Sequence, residues 1–292
     1  MSPLKFRQLT DLHRQRKEFG KMVELCSQML VFEPKNADAY HRRGYAYEHL
    51  VKPSMAMEDY NDAIKYNPKL THAYLDRGHL YFFQYKDNHK ALADFDTAIK
   101  LDPQYAWAYY YRGIIYAIQG KNDKAITDFS NAIRCFPRFA FAYDFRGHVY
   151  ARMGDDEKAI EDCSKAIKIE PKQSSAYENR GFSYWTLKDN EKALADFKKL
   201  IEFHPDCPMA YYCCGRIYKT LGDKAQAKVA LGKAMELLFQ KHSIIKIIIM
   251  RMLSLRNETK WLRFLSSSRT LKDVGQIYQA NGGDTDRSTS SS

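Results

Sequence analysis

The sequence predicts an all-α array of stacked, antiparallel helix hairpins, and two observations carry that expectation. The dipeptide Ala-Tyr recurs at Ala39, Ala73, Ala108, Ala142, Ala176 and Ala210, at intervals of 34, 35, 34, 34 and 34 residues. Five residues before each alanine stands a proline, at Pro34, Pro68, Pro103, Pro137, Pro171 and Pro205. A fixed period of this size marks repeat architecture. Proline cannot continue a helix interior, so each one closes a repeat and opens the next.

Taken in order, residues 1–38 read as a degenerate hairpin. The stretch RKEFGKMVELCSQMLVFEP has the pattern of a second helix, and the first helix, from about Leu4, lacks the glycine of later repeats. Six tandem repeats follow over 39–237, starting near 39, 73, 108, 142, 176 and 210. The repeat from Ala142 shows the pattern best. AYDFRGHVYARM and EKAIEDCSKAIKIE carry apolar or small residues at helical spacing on either side of the turn Gly154-Asp155-Asp156. Gly147 and Ala159 leave room for close approach, Ala166 lets the next hairpin nest, and Tyr143 and Tyr150 fill the seams. Residues 238–265 read as a capping or amphipathic segment, apolar but broken by Lys241, Lys246 and Arg251. Residues 266–292 are polar and read as a disordered tail.

Arg43, Arg77, Arg112, Arg146 and Arg180 precede the repeat glycine, while Asp59, Asp94, Asp128, Asp162 and Asp196 lie on the second helices. The last repeat has Cys214 and Ala230 instead, and the degenerate first has Leu9 and Leu25, so the two charges are present or absent together. Paired loss argues for ion pairs inside each hairpin, because a buried charge needs a partner.

The formal charge of +11 admits acidic peptides, RNA or an anionic membrane as partners. About four of those charges lie beyond Met235, which leaves the array only mildly basic and disfavours nucleic acid. No apolar run is long enough to span a membrane, and the charged opening residues do not form a signal peptide. Six scattered cysteines include no C-x-x-C pair, so neither zinc nor a disulfide framework is expected. The setting they imply is the reducing cytosol, with nucleus and cilium left open. The common catalytic and phosphate-binding motifs are absent, so no enzyme, cofactor, metal or small-molecule substrate is expected. The nine histidines fall at unlike positions of different repeats and read as solvated or packed.

The order Tyr, Gly, Tyr, Ala, aromatic, Ala, Pro over this period resembles the tetratricopeptide repeat family, across roughly residues 5 to 237. The resemblance implies a right-handed α-solenoid whose concave groove, lined by the first helices, holds an extended peptide or a partner helix. Such a protein is an adaptor that assembles a multiprotein complex. The groove would carry His72, Leu75 and His79, then Trp107, Tyr110 and Ile114, then Phe141, Asp144 and His148, with Phe182 and Trp185 further along. The peptide-binding candidates among them are His72, His79, Trp107, Tyr110, Phe141, His148, Phe182 and Trp185. Some family members clamp acidic chaperone tails with an ordered set of Lys, Asn and Arg. The matching positions here are Arg42, Asp76, Tyr111, Phe145 and Asn179, which departs from that set. An RNA-binding solenoid would need basic and stacking residues recurring at one position per repeat, whereas these groove positions vary.

Overall fold

A computed structural model describes residues 2–241. Residues 238–241 of the expected capping segment continue the last helix, and the rest of that segment and the polar tail lie outside the described residues. Fourteen helices, and no strands, are found among the described residues. They are α1 (Pro3–Gln15), α2 (Phe19–Phe32), α3 (Ala37–His49), α4 (Pro53–Tyr66), α5 (Thr71–Phe83), α6 (Asn88–Leu101) and α7 (Ala106–Ile118), then α8 (Asn122–Cys135), α9 (Ala140–Met153), α10 (Asp156–Ile169), α11 (Ser174–Thr186), α12 (Asn190–Phe203), α13 (Pro208–Thr220) and α14 (Lys224–Lys241). Odd-numbered helices are first helices, and even-numbered ones are second helices.

The described helices fall into two compact units, one reaching Gln119 and carrying α1 to α7, the other starting at Gly120 and carrying α8 to α14. In the first unit each helix packs on the next, and α5 also touches α3 and α7. In the second the same succession holds, with α9 touching α11 across α10.

Local chemistry explains the punctuation. Asp87, Asp155 and Asp189 cap second helices, accepting hydrogen bonds from the backbone N–H of Lys90, Lys158 and Lys192. Just before each second helix stands one residue in the left-handed region: Lys17, Val51, Lys86, Gly120, Gly154, Lys188 and Gly222, with φ from 55° to 89°. Glycine adopts this conformation freely, lysine at some cost, and β-branched Val51 is a true outlier. At the other end of the hairpin, the Ala-Tyr tyrosine locks the turn. Tyr40, Tyr74 and Tyr177 donate to the carbonyls of Pro34, Pro68 and Pro171 at 3.2–3.3 Å.

Small residues set how closely the helices approach. A Cβ placed on Gly78 would stand 2.7 Å from the Phe95 ring, and one on Gly147 would stand 2.8 Å from Cys163 Sγ. Ala91, Ala98, Ala159 and Ala166 are fully buried between these contacts. The core is therefore a chain of hairpin seams rather than one central mass.

Candidate functional site

Function in such an array depends on which polar and aromatic groups the packing consumes and which it leaves open. The repeat arginines are consumed. Arg43, Arg77, Arg146 and Arg180 each bind the aspartate of their own second helix through Nε and Nη2, with all eight contacts between 2.7 and 2.9 Å. Burial opposes the guanidinium charge of Arg77, Arg146 and Arg180, but the aspartate hydrogen bonds prevail and raise each pKa. At Asp59 and Asp94 burial outweighs the arginine, and the carboxyl pKa is raised.

A second partner is not visible from the charges alone. The remaining nitrogen, Nη1, reaches back to the second helix of the preceding repeat: Arg43 to Ser27, Arg77 to Asn61, Arg112 to Asp96, Arg146 to Ser130 and Arg180 to Ser164, at 2.6–3.2 Å. All these acceptors stand 16 residues before their arginine. Tyrosines sandwich the same guanidinium, as Tyr177 and Tyr184 do at Arg180, 5.7 and 5.9 Å from their ring centroids. Asp128 is likewise buried.

The groove candidates divide by accessibility. His79, Trp107, Tyr110, His148 and Phe182 are buried, whereas His72, Phe141 and Trp185 are half-buried. Trp107 lies edge-on to Tyr110 at 5.6 Å and stacks on Tyr111 at 5.7 Å. Trp185 leans on Phe182 and Phe197, both at 6.4 Å, and keeps part of its surface open. His72 rests on Tyr105 at 5.1 Å, and Phe141 on Phe139 at 6.5 Å.

Between first helices runs a buried polar network. His41 Nε2 faces Asp76 Oδ2 at 2.7 Å, and His79 Nδ1 faces Glu48 Oε1 at 2.8 Å, with Tyr60 donating to the other Glu48 oxygen at 2.9 Å. In the second unit Asp144 accepts from Gln173, Ser175 and Asn179 at 2.8, 2.5 and 2.8 Å, while His148 Nδ1 faces Asn179 Oδ1 at 3.1 Å. Sequence reasoning did not single out Glu48 or Gln173. A usable signal exists in the spacing: His41 to Asp76 and Asp144 to Asn179 both span 35 residues. Buried hydrogen bonds of this kind fix packing. Among the described residues no group of three or more His, Cys, Asp or Glu could hold a metal ion. No described helix is long and apolar enough to cross a membrane.

A family model described as the ETO1 C-terminal domain matches residues 37–181, and one described as the tetratricopeptide repeat matches 174–207 and 210–237. No curated protein sequence matches the chain at a significant level. Among solved structures the chain is similar to YrrB, described as a TPR protein with an unusual peptide-binding site, at 22% identity and a TM-score of 0.55, covering 67% of this chain and 99% of that one. It is similar to the APC/C hetero-tetramer Cut9-Hcn1 at 15% identity and a TM-score of 0.67, covering 84% of this chain and 48% of that one. A further match is MamA, at 28% identity and a TM-score of 0.50, covering 56% of this chain and 94% of that one.

Proposed function

Because the chain is a tetratricopeptide-repeat protein, we propose that it is a non-enzymatic adaptor that holds a protein partner against its first-helix face. The partner is an extended peptide or a helix, and the outcome is assembly of a multiprotein complex. The observation that carries this reading is ring surface left open on first helices, at His72 in the first unit and, separately, at Phe141 and Trp185 in the second. Aromatic rings that pack on one side and meet solvent on the other are typical anchors of protein interfaces. Six free thiols suit a reducing compartment, which we take to be the cytosol.

Two rival readings are weakened by specific contacts. A chaperone-tail clamp would need Asn179 free, yet its amide is engaged by Asp144 and His148. An RNA-binding solenoid would use the one basic residue that recurs in every middle repeat, yet that arginine is neutralised by aspartate in four of them.

Affinity purification with mass spectrometry of co-purifying proteins tests the reading. Trp185→Ala should weaken a captured partner by about thirtyfold, the equivalent of roughly 2 kcal/mol at an interface anchor. Capture that survives in Trp185→Ala, His72→Ala and Phe141→Ala alike, or that collapses on nuclease treatment, would sink it.

A further inference from the structure

Two successive hairpin ends in the second unit carry exposed cations outside any ion pair among the described residues. Arg134 and Arg138 flank the turn from α8 to α9, and Lys168 and Lys172 flank the turn from α10 to α11, each pair repeating the other 34 residues on. All four side chains are exposed, and none forms an ion pair among the described residues. Arg134 and Lys168 lie in the last turn of their helices, where a cation complements the helix dipole. Arg138 and Lys172 have no such role. They stand just ahead of the N-termini of α9 and α11, where the helix end is itself positive and a cation is locally unfavourable. Neither helix opens with an acidic residue that would offset it.

The turns differ in one informative place. The residue that caps the C-terminus of a second helix is Glu33, Asp102 and Glu170 at α2, α6 and α10 but Phe136 at α8, as it is Asn67 at α4 and His204 at α12. The α8 to α9 turn therefore holds two arginines and no carboxylate. Glu170 is the one carboxylate on the pair of turns, and it faces the backbone N–H of Lys172 at 3.4 Å.

We propose that this edge docks an acidic segment of a protein partner, with Arg134 and Arg138 as the principal contacts and Lys168 and Lys172 extending the track. The inference rests on the adaptor reading and adds a second contact surface to it, away from the groove rings. Carboxylates suit the site because a guanidinium fork binds them through two parallel hydrogen bonds. RNA suits it less, because Phe136 and Phe139 pack on each other at 5.7 Å and Phe139 is buried, which leaves no open ring pair for base stacking. A membrane suits it less as well, since neither turn carries a large exposed apolar side chain that could enter lipid.

The test uses the full chain and a fluorescent oligo-glutamate peptide, followed by anisotropy at low salt and through a salt titration. Arg134→Glu/Arg138→Glu should weaken binding by about tenfold or more and flatten the salt dependence, and Lys168→Glu/Lys172→Glu should follow it. Lys224→Glu/Lys228→Glu, an equal charge change on exposed residues of α14, should shift affinity by less than about threefold. Should either edge variant lose helicity, Arg134→Gln/Arg138→Gln replaces it. Equal losses in edge and control variants, no binding by the wild type, or tighter binding of oligouridine or phosphatidylserine vesicles through the same four cations would each overturn the proposal. If the edge variants bind as wild type while Trp185→Ala still loses its captured partner, this inference fails and the adaptor reading stands. If the edge variants lose the peptide while no groove partner responds to Trp185→Ala, the edge stands and the groove reading fails.

Discussion

Replacing Arg146 with alanine removes one side chain from three places at once. Asp162, 3% exposed, loses both of its guanidinium contacts, at 2.7 and 2.8 Å. Ser130 on α8 loses its bond from Nη1 at 2.8 Å, and Tyr143 loses one of the two cations over its ring, keeping Lys165. Stranding a buried carboxylate dominates, since breaking a buried pair by removing one partner costs about 3–5 kcal/mol. In a domain of this size that lowers Tm by roughly 6–20 °C. Circular dichroism melts of the full chain measure it, read as a comparison with wild type because repeat arrays need not unfold in one step. The paired change Arg146→Leu/Asp162→Leu should recover much of the loss, because a buried ion pair is not in itself worth much over well-packed apolar groups. A melting curve for Arg146→Ala within about a degree of wild type, or a double variant as unstable as the single one, would refute the reasoning.

Three further outcomes follow from the same structure. Val51→Gly relieves a β-branched residue at φ 58° whose side chain is 79% exposed; the relief of about 1–2 kcal/mol, less the flexibility glycine adds to the unfolded chain, should raise stability by about 1 kcal/mol in urea titration. Gly147→Ala places a methyl 2.8 Å from Cys163 Sγ and 3.1 Å from the Ala159 carbonyl, so α9 and α10 must separate; it should cost about 2 kcal/mol, whereas Gly20→Ala, with open space around it, should be neutral or stabilising. Burial pushes the His49 imidazole below its ordinary value of 6.5, with His79 and Lys17 acting in the same direction and Glu48 and Asp76 opposing. The unfolded chain then binds more protons in the window just under 6.5, so His49's contribution is present above that pH and lost as pH falls. His49→Phe, which keeps the stack on Phe19 at 4.3 Å, should make Tm less sensitive to acid between neutrality and pH 5; an unchanged slope would count against it.

The fold was legible because a short period imposes the same small residues on every seam. Proline, glycine and alanine at fixed offsets leave few ways to pack, and the helices begin and end where those residues require. What escaped had no periodic letter of its own. The left-handed residue before each second helix is glycine at 120, 154 and 222 but lysine or valine elsewhere, so conformation recurs where identity does not. The backward acceptors Ser27, Asn61, Asp96, Ser130 and Ser164 share only an oxygen, and a search confined to opposite charges within a hairpin passes over them. Ring accessibility was illegible for a different reason. Trp107 and Trp185 both sit on first helices, and only the neighbours brought in by folding bury one and leave the other half open.

The backward reach of the arginines also settles where such a chain can be cut. Proline invites a boundary before a first helix, for example at Ala140, yet a fragment beginning there leaves Arg146 without the Ser130 oxygen. A fragment beginning at Gly120 keeps Ser130, Arg146 and Asp162 together, and Ser164, Arg180 and Asp196 after them. The second compact unit begins at that residue. The punctuation of the letters and the grain of these backward bonds are thus half a period out of step, and a truncation, graft or duplicated repeat cut along that grain keeps each backward hydrogen bond with its arginine.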